Sequence, residues 1–208
     1  MTQEPHWLRW AREIQAIAQT GLHFSESPYD RERYEKLQEL AVEIFAQHSN
    51  LDSGPIRALF NQETGYATPK VDVRGVVFRD DTVLLVRERA DGRWTLPGGW
   101  ADVNDSPSEA VEREVREESG FEAKASRLLA VYDRAKHAHY PLFAYHVYKL
   151  FILCEQTGGR AASSMETSEV GFFGAHQLPP LSEERVLPEQ IAYCFRQRLD
   201  PQAQPHFD

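Results

Sequence analysis

Gly99-Trp100-Ala101-Asp102-Val103-Asn104-Asp105-Ser106-Pro107-Ser108-Glu109-Ala110-Val111-Glu112-Arg113-Glu114-Val115-Arg116-Glu117-Glu118-Ser119-Gly120-Phe121 is a loop, a helix and a loop in that order. Ser106 is a good N-cap, Pro107 suits the first helical position, and Glu109 stands where it can complete a capping box. Gly120 supplies a left-handed stop. Inside those limits Glu114, Glu117 and Glu118 fall at i, i+3 and i+4, so three carboxylates share one face of the helix, where like charges repel. Val111 and Val115 turn part of that face toward the protein, which works against full solvation of the cluster. A hard divalent cation, Mg²⁺ or Mn²⁺, relieves the conflict, because it prefers carboxylate oxygens and leaves room for water and phosphate. Pro97-Gly98-Gly99 sits just upstream, where absent Cβ atoms let backbone groups approach an ion or a phosphate. The competing reading is a solvated helix laced by pairs such as Glu109 with Arg113 and Arg113 with Glu117.

Outward from this stretch, Val71, Val73 and Val76 to Phe78, then Val83 to Val86, read as a β-hairpin around Asp80-Asp81. Further strands are expected at about 127–134, 143–154 and 169–173, with a last helix over 182–198. Toward the N-terminus, Trp7, Trp10, Ala11, Ile14, Ile17, Ala18 and Leu22 recur at helical spacing, with Gly21 near the expected stop. A second helix follows Ser27-Pro28 and aligns Tyr34, Leu37, Leu40, Ala41, Ile44 and Phe45. Two amphipathic helices make a poor core alone, so the hairpin must dock on the rest of the chain or on a second copy. The expected organisation is an α+β fold: a helical extension over residues 1–50, a linker over 51–69, and a catalytic domain with a mixed sheet over 70–208.

The chain has 208 residues and a net charge of −9, which argues against nucleic acid held by general phosphate attraction. Residues 102–118 hold seven carboxylates against two arginines, so more than half of that charge lies in the helix and its loop. No apolar run is long enough for a membrane helix, and Met1 to Trp10 lacks the order of a secretory signal, so a cytoplasmic protein is expected. Cys154 and Cys194 stand in apolar settings and read as inert core thiols.

Gly99, five residues, Asp105, seven residues, then Arg113-Glu114-Val115-Arg116-Glu117-Glu118-Ser119-Gly120-Phe121 resembles the Nudix box, the signature of Nudix hydrolases. One anchor departs: the family usually has glutamate where Asp105 stands, commonly preceded by glycine where this chain has Asn104. Val71-Asp72-Val73-Arg74-Gly75, Trp94-Thr95-Leu96-Pro97-Gly98-Gly99-Trp100-Ala101-Asp102 and Glu166-Thr167-Ser168-Glu169-Val170 resemble the body of that domain. The N-terminal helices resemble the extension of a subgroup acting on nucleoside diphosphates linked to a second moiety, of CDP-choline or ADP-ribose type.

The resemblance implies an α/β/α sandwich, a Mg²⁺ or Mn²⁺ cofactor and hydrolysis of a phosphoanhydride in a small nucleotide substrate. It implies metal binding by Glu114, Glu117, Glu118 and the Gly99 carbonyl, with Arg113 orienting the glutamates. Glu118, Glu117 and Glu166 are the candidates for general base. Arg87, Trp100 and His139, with His137 in the same polar loop, are candidate substrate contacts, with strand-end and surface roles as the competing readings. A homodimer through the N-terminal helices is expected. The alternatives are a nucleoside triphosphate or RNA-end pyrophosphohydrolase and a non-catalytic nucleotide-sugar sensor.

Overall fold

The computed structural model describes residues 5–49, 51–200 and 202–208. The first four residues of the Met1 to Trp10 stretch lie outside the described residues. Helices α1 (His6–Phe24), α2 (Pro28–His48) and α3 (Ser53–Asn61) precede strands β1 (Lys70–Arg79), β2 (Thr82–Glu88) and β3 (Trp94–Thr95). Then come α4 (Pro107–Ser119), β4 (Phe121–Asp133), β5 (Val147–Gly159), β6 (Thr167–Gly174), α5 (Pro188–Leu199) and β7 (His206–Phe207). By contact the chain divides into two units, residues 1–69 with 143–146, and residues 70–142 with 147–208.

The larger unit holds a seven-stranded mixed sheet in the order β3-β2-β1-β5-β4-β7, with β6 paired to β2. β1 runs parallel to β5 and antiparallel to β2. Alternation along the strands splits the core in two. Val73, Val77, Leu84, Ile152 and Cys154 join Ala110, Val111 and Val115 of α4, whereas Val76, Val83, Leu85, Leu129 and Phe151 join Val186, Ile191 and Cys194 from the α5 side. A helix on each face of a mixed sheet is the expected α/β/α sandwich. Gly75 permits it, because a Cβ there would lie 2.4 Å from Val115 Cγ2. Both cysteines are free and buried, and burial pushes each thiol up to about 12.

Several boundaries differ from the sequence reading. β4 begins directly after Gly120 rather than near residue 127, and residues 155–159, expected as loop, are strand. Residues 143–146 leave the sheet and belong with the N-terminal unit. The last helix starts at Pro188, because residues 182–187 form turns and the buried Val186 and Leu187 that precede it.

In the smaller unit Ser27 caps α2 through its hydroxyl, as Ser27-Pro28 indicated. Gly21 does not end α1, which runs to Phe24; it admits the ring of Tyr34, which a Cβ would meet at 2.4 Å. The stretch read as linker contains α3, whose Ile56 and Phe60 close a core with Leu8, Ala11, Ala41, Val42 and Phe45. A third helix thus covers what two could not. The stripe on α1 is also rotated from expectation: Leu8, Ala11 and Ala18 are buried, while Trp10 is 53% and Ile17 51% exposed.

Candidate active site

Helix α4 is specified as the sequence indicates. Ser106 and Glu109 form the reciprocal capping box, and Gly120 stops the helix at φ 73°. Such a cap is worth about 1 kcal/mol. Glu109 is therefore held by Ser106 rather than by Arg113.

Residues 97–101 are laid along β1 by backbone bonds. Gly75 N–H donates to Pro97 O at 2.8 Å, Val73 N–H to Gly99 O at 2.9 Å, and Ala101 N–H to Val71 O at 3.0 Å. Gly98 N–H turns the other way and donates to Glu118 Oε2 at 2.8 Å. The glycine turn and the end of α4 are thereby fixed to one another. Gly99 lies against Glu114, since a Cβ on it would approach Glu114 Oε2 at 3.1 Å.

The three glutamates differ in setting. Glu118 is 5% exposed. Burial raises its carboxyl to about 8; Arg74 and the Gly98 N–H oppose the rise, and the negative charges of Glu88 and Glu114 add to it. Glu114 is also raised by burial, against the pull of Arg113. The Glu117 side chain is half exposed. Arg113 binds the group together, with Nη1 at 2.7 Å from Glu114 Oε1 and 3.6 Å from Glu117 Oε2, and contacts at 3.2 Å to both Asp102 and Asp105.

Asn104 adopts the left-handed conformation, φ 78°, that glycine would otherwise supply. This lets the short Asp105 side chain reach Arg113 Nε. Asp105→Ala is expected to lower turnover about tenfold, the loss typical of a residue that orients a ligand rather than acting as one. Steady-state rates beside those of Glu118→Gln check this, and equal losses would place Asp105 among the ligands.

The other singled-out residues are dispersed. Trp100 is 45% exposed, and its carbonyl lies 3.5 Å from Arg113 Nη2. Arg87 is engaged by its own chain, pairing with Glu169 at 2.5 Å and donating to Gly92 O at 2.7 Å. His139 overturns the surface reading: it is 4% exposed, with Nδ1 at 2.8 Å from Glu183 O and Nε2 at 3.2 Å from Gln190 Nε2. Burial, aided by Lys149, drops its pKa to about 3, so it is a neutral buried residue. His137 pairs with Asp208 at 3.0 Å. The Glu166 side chain is exposed, but its loop is pinned: Arg89 N–H donates to Glu166 O at 2.8 Å, and the Ser164 hydroxyl accepts from Glu166 N–H at 3.1 Å. Thr167 Oγ1 then donates to Glu118 O at 2.6 Å, tying this loop to α4.

Sequence reasoning missed a set of buried charges. Asp72, Arg74, Glu88 and Lys149 are each at most 5% exposed. The available signal was two charged residues, Asp72 and Arg74, two apart in an otherwise apolar strand, which puts both on one face.

Among the described residues no three His, Cys, Asp or Glu side chains are drawn together into a preformed metal site. The donor chemistry nonetheless suits a hard divalent cation. Glu114, Glu117 and Glu118 offer carboxylate oxygens alone, and burial disfavours the uncompensated charge of Glu114 and Glu118.

The Nudix domain model matches residues 68–194, and a model described as a UDP-X-like N-terminal oligomerisation domain matches residues 5–60. The chain belongs to the Nudix hydrolase family. It is 48% identical over 202 residues, covering 97% of each chain, to YjhB of Bacillus subtilis (strain 168), which carries a provisional ADP-ribose pyrophosphatase name. A solved ADP-ribose pyrophosphatase of Streptococcus suis 89-1591 aligns at 40% identity and TM-score 0.63, covering 68% of this chain and 100% of that one. A solved UDP-X diphosphatase aligns at 36% identity and TM-score 0.63, covering 97% and 98%. Nudix hydrolases generally use divalent metal ions, and no helix among the described residues is long and apolar enough to cross a membrane.

Proposed function

We propose that this Nudix hydrolase cleaves the phosphoanhydride of a nucleoside diphosphate linked to a second moiety, releasing a nucleoside monophosphate and a phosphorylated X. ADP-ribose is the first candidate substrate, because two of the similar proteins are named for it; UDP-linked compounds and CDP-choline follow. The observation that carries the reading is the buried Glu118, held by the glycine turn, with Glu114 one turn away on the same helix and paired to Arg113.

Glu114, Glu117 and Glu118 would hold Mg²⁺ or Mn²⁺. When bound, the cation offsets phosphate charge and makes water a stronger nucleophile. Arg113 keeps Glu114 oriented, and the glycine turn keeps Glu118 Oε2 in place. The other oxygen of Glu118 is the one able to take a proton from attacking water. Glu117 and Glu166 are the other candidates for base; Glu117 is already committed to Arg113, and the Glu166 loop is tied down.

A panel of ADP-ribose, CDP-choline, a UDP-sugar and ATP, each with Mg²⁺ or Mn²⁺ and scored for monophosphate release, tests the assignment. Turnover of the linked diphosphates supports it. Turnover of ATP alone, or binding without turnover, overturns it.

The N-terminal helices are proposed to make a homodimer. Trp10, Ile17 and Phe24 recur every seven residues on α1 and are 53%, 51% and 65% exposed, an apolar row that a second copy would cover. Ile17→Glu would bury an unpaired charge there. It is expected to give a folded monomer by light scattering at concentrations where the parent is a dimer; an unchanged dimer counts against this face.

A further inference from the structure

Buried charges stand on three strands of the sheet, β2, β1 and β5. Arg185 Nε lies 3.2 Å from Glu88 Oε1 on β2. On β1, Arg74 grips Asp72 with two bonds, Nε to Oδ1 at 2.8 Å and Nη2 to Oδ2 at 2.6 Å. Lys149, in register with Asp72 on β5, donates to the same carboxylate at 2.9 Å. Arg74 Nη1 reaches Leu96 O at 3.3 Å, the last carbonyl before Pro97-Gly98-Gly99. Glu88 is in register with Thr167, whose hydroxyl holds the carbonyl of Glu118.

Taking these buried ions out of water is expensive, and replacing such sets by apolar residues is often neutral or stabilising. Stability alone is therefore a poor account of the set, whereas its place accounts for it well. Arg74 is bound to Asp72, and its charge also acts on the carboxylates of Glu88, Glu118 and Glu114. Burial alone would raise Asp72, yet Arg74 and Lys149 hold it down to about 2, so it stays ionised and keeps its grip.

We infer that Arg74 is a positioning residue for the hydrolysis, held by Asp72, which Lys149 keeps in place, and that it sets the glycine turn at Leu96 so that the Gly98 amide meets Glu118. This rests on the catalytic reading of Glu118. Arg74 acts through the turn and touches no reacting atom.

Arg74→Lys keeps the charge and loses the two-pronged grip. The expected result is kcat lowered about 30-fold with KM within about threefold, within the range seen when a supporting contact to a ligand is lost. The Gly98 amide, followed by NMR in the protein without cation or substrate, should shift and exchange faster. A folded Arg74→Lys protein with parental kcat and an unmoved Gly98 amide overturns the inference. If Arg74→Lys does not fold, the double change Asp72→Asn with Lys149→Met deletes one buried charge of each sign and still frees Arg74. It should lower kcat with KM held, and parental kcat there overturns the inference equally. Full activity in Glu118→Gln would sink the catalytic reading alone, since the amide readout needs no turnover.

Discussion

Glu118→Gln is expected to lower turnover at least ~100-fold while leaving the fold intact and, without divalent cation, raising the melting temperature near pH 8. The two effects have one origin. Glu118 is buried, and burial places its carboxyl near pH 8 in the folded chain against an ordinary value of 4.5. Between those values the folded state holds a proton that the unfolded state has released, so folding stability falls as pH rises through that window. Below about pH 4.5 both states are protonated and the penalty is absent; by about pH 8 it is fully developed and amounts to a few kcal/mol at most. Glutamine has nearly the same shape, still accepts from the Gly98 N–H, and carries no charge to desolvate. The variant should therefore match the parent in acid and melt several degrees higher at pH 8 in a chelator. Bound cation would reverse the order by favouring the charged parent. Thermal melts of both proteins from pH 4 to 9, with and without Mg²⁺, together with rates, check this. A variant with full activity, or a parent whose stability rises from pH 5 to 8 in chelator, would contradict the role given to Glu118.

Helix α4 was legible because its signals are local. A cap, a proline, a box partner and a stopping glycine lie within fifteen residues, and each reports on the one turn it occupies. Helix α3 was hidden for the same reason: Ser53, Gly54 and Pro55 read as turn formers, although proline fits the first turn of a helix and Ile56 and Phe60 share a face. The rotated stripe on α1 shows a further limit. Apolar residues occupy two faces of that helix, one toward its own core and one outward, and periodicity summed over both points between them. The buried set was out of reach because Asp72 and Lys149 are 77 positions apart, and only the parallel pairing of β1 with β5 brings them together. His139 erred in the opposite sense, since a polar loop composition concealed a side chain buried against Glu183 and Gln190.

Gly98→Ala is expected to destabilise the fold by about 3 to 5 kcal/mol and to abolish measurable turnover. Gly98 has φ 147°, a conformation that L side chains rarely adopt, and an added Cβ would stand 2.0 Å from Val73 O and 2.9 Å from the carbon of the same carbonyl. These are backbone atoms of a central strand, which is paired with β5 along this stretch and with β2 at its far end. Relief must come from the turn, which would lift away from β1 and break the bonds from Gly75 to Pro97 and from Val73 to Gly99. The Gly98 amide moves with it, so Glu118 loses its donor while remaining buried, and the stability and catalytic losses share one displacement. Two neighbours separate this from a general intolerance of alanine. Gly99→Ala meets only the flexible end of Glu114, so it should cost activity more than stability. Gly54→Ala, with nothing within 4 Å of its added Cβ in a helix, should be neutral or stabilising by up to ~1 kcal/mol. Melting temperatures and ADP-ribose hydrolysis for the three variants decide the matter: a Gly98→Ala protein as stable and active as Gly54→Ala would mean that the turn does not hold Glu118.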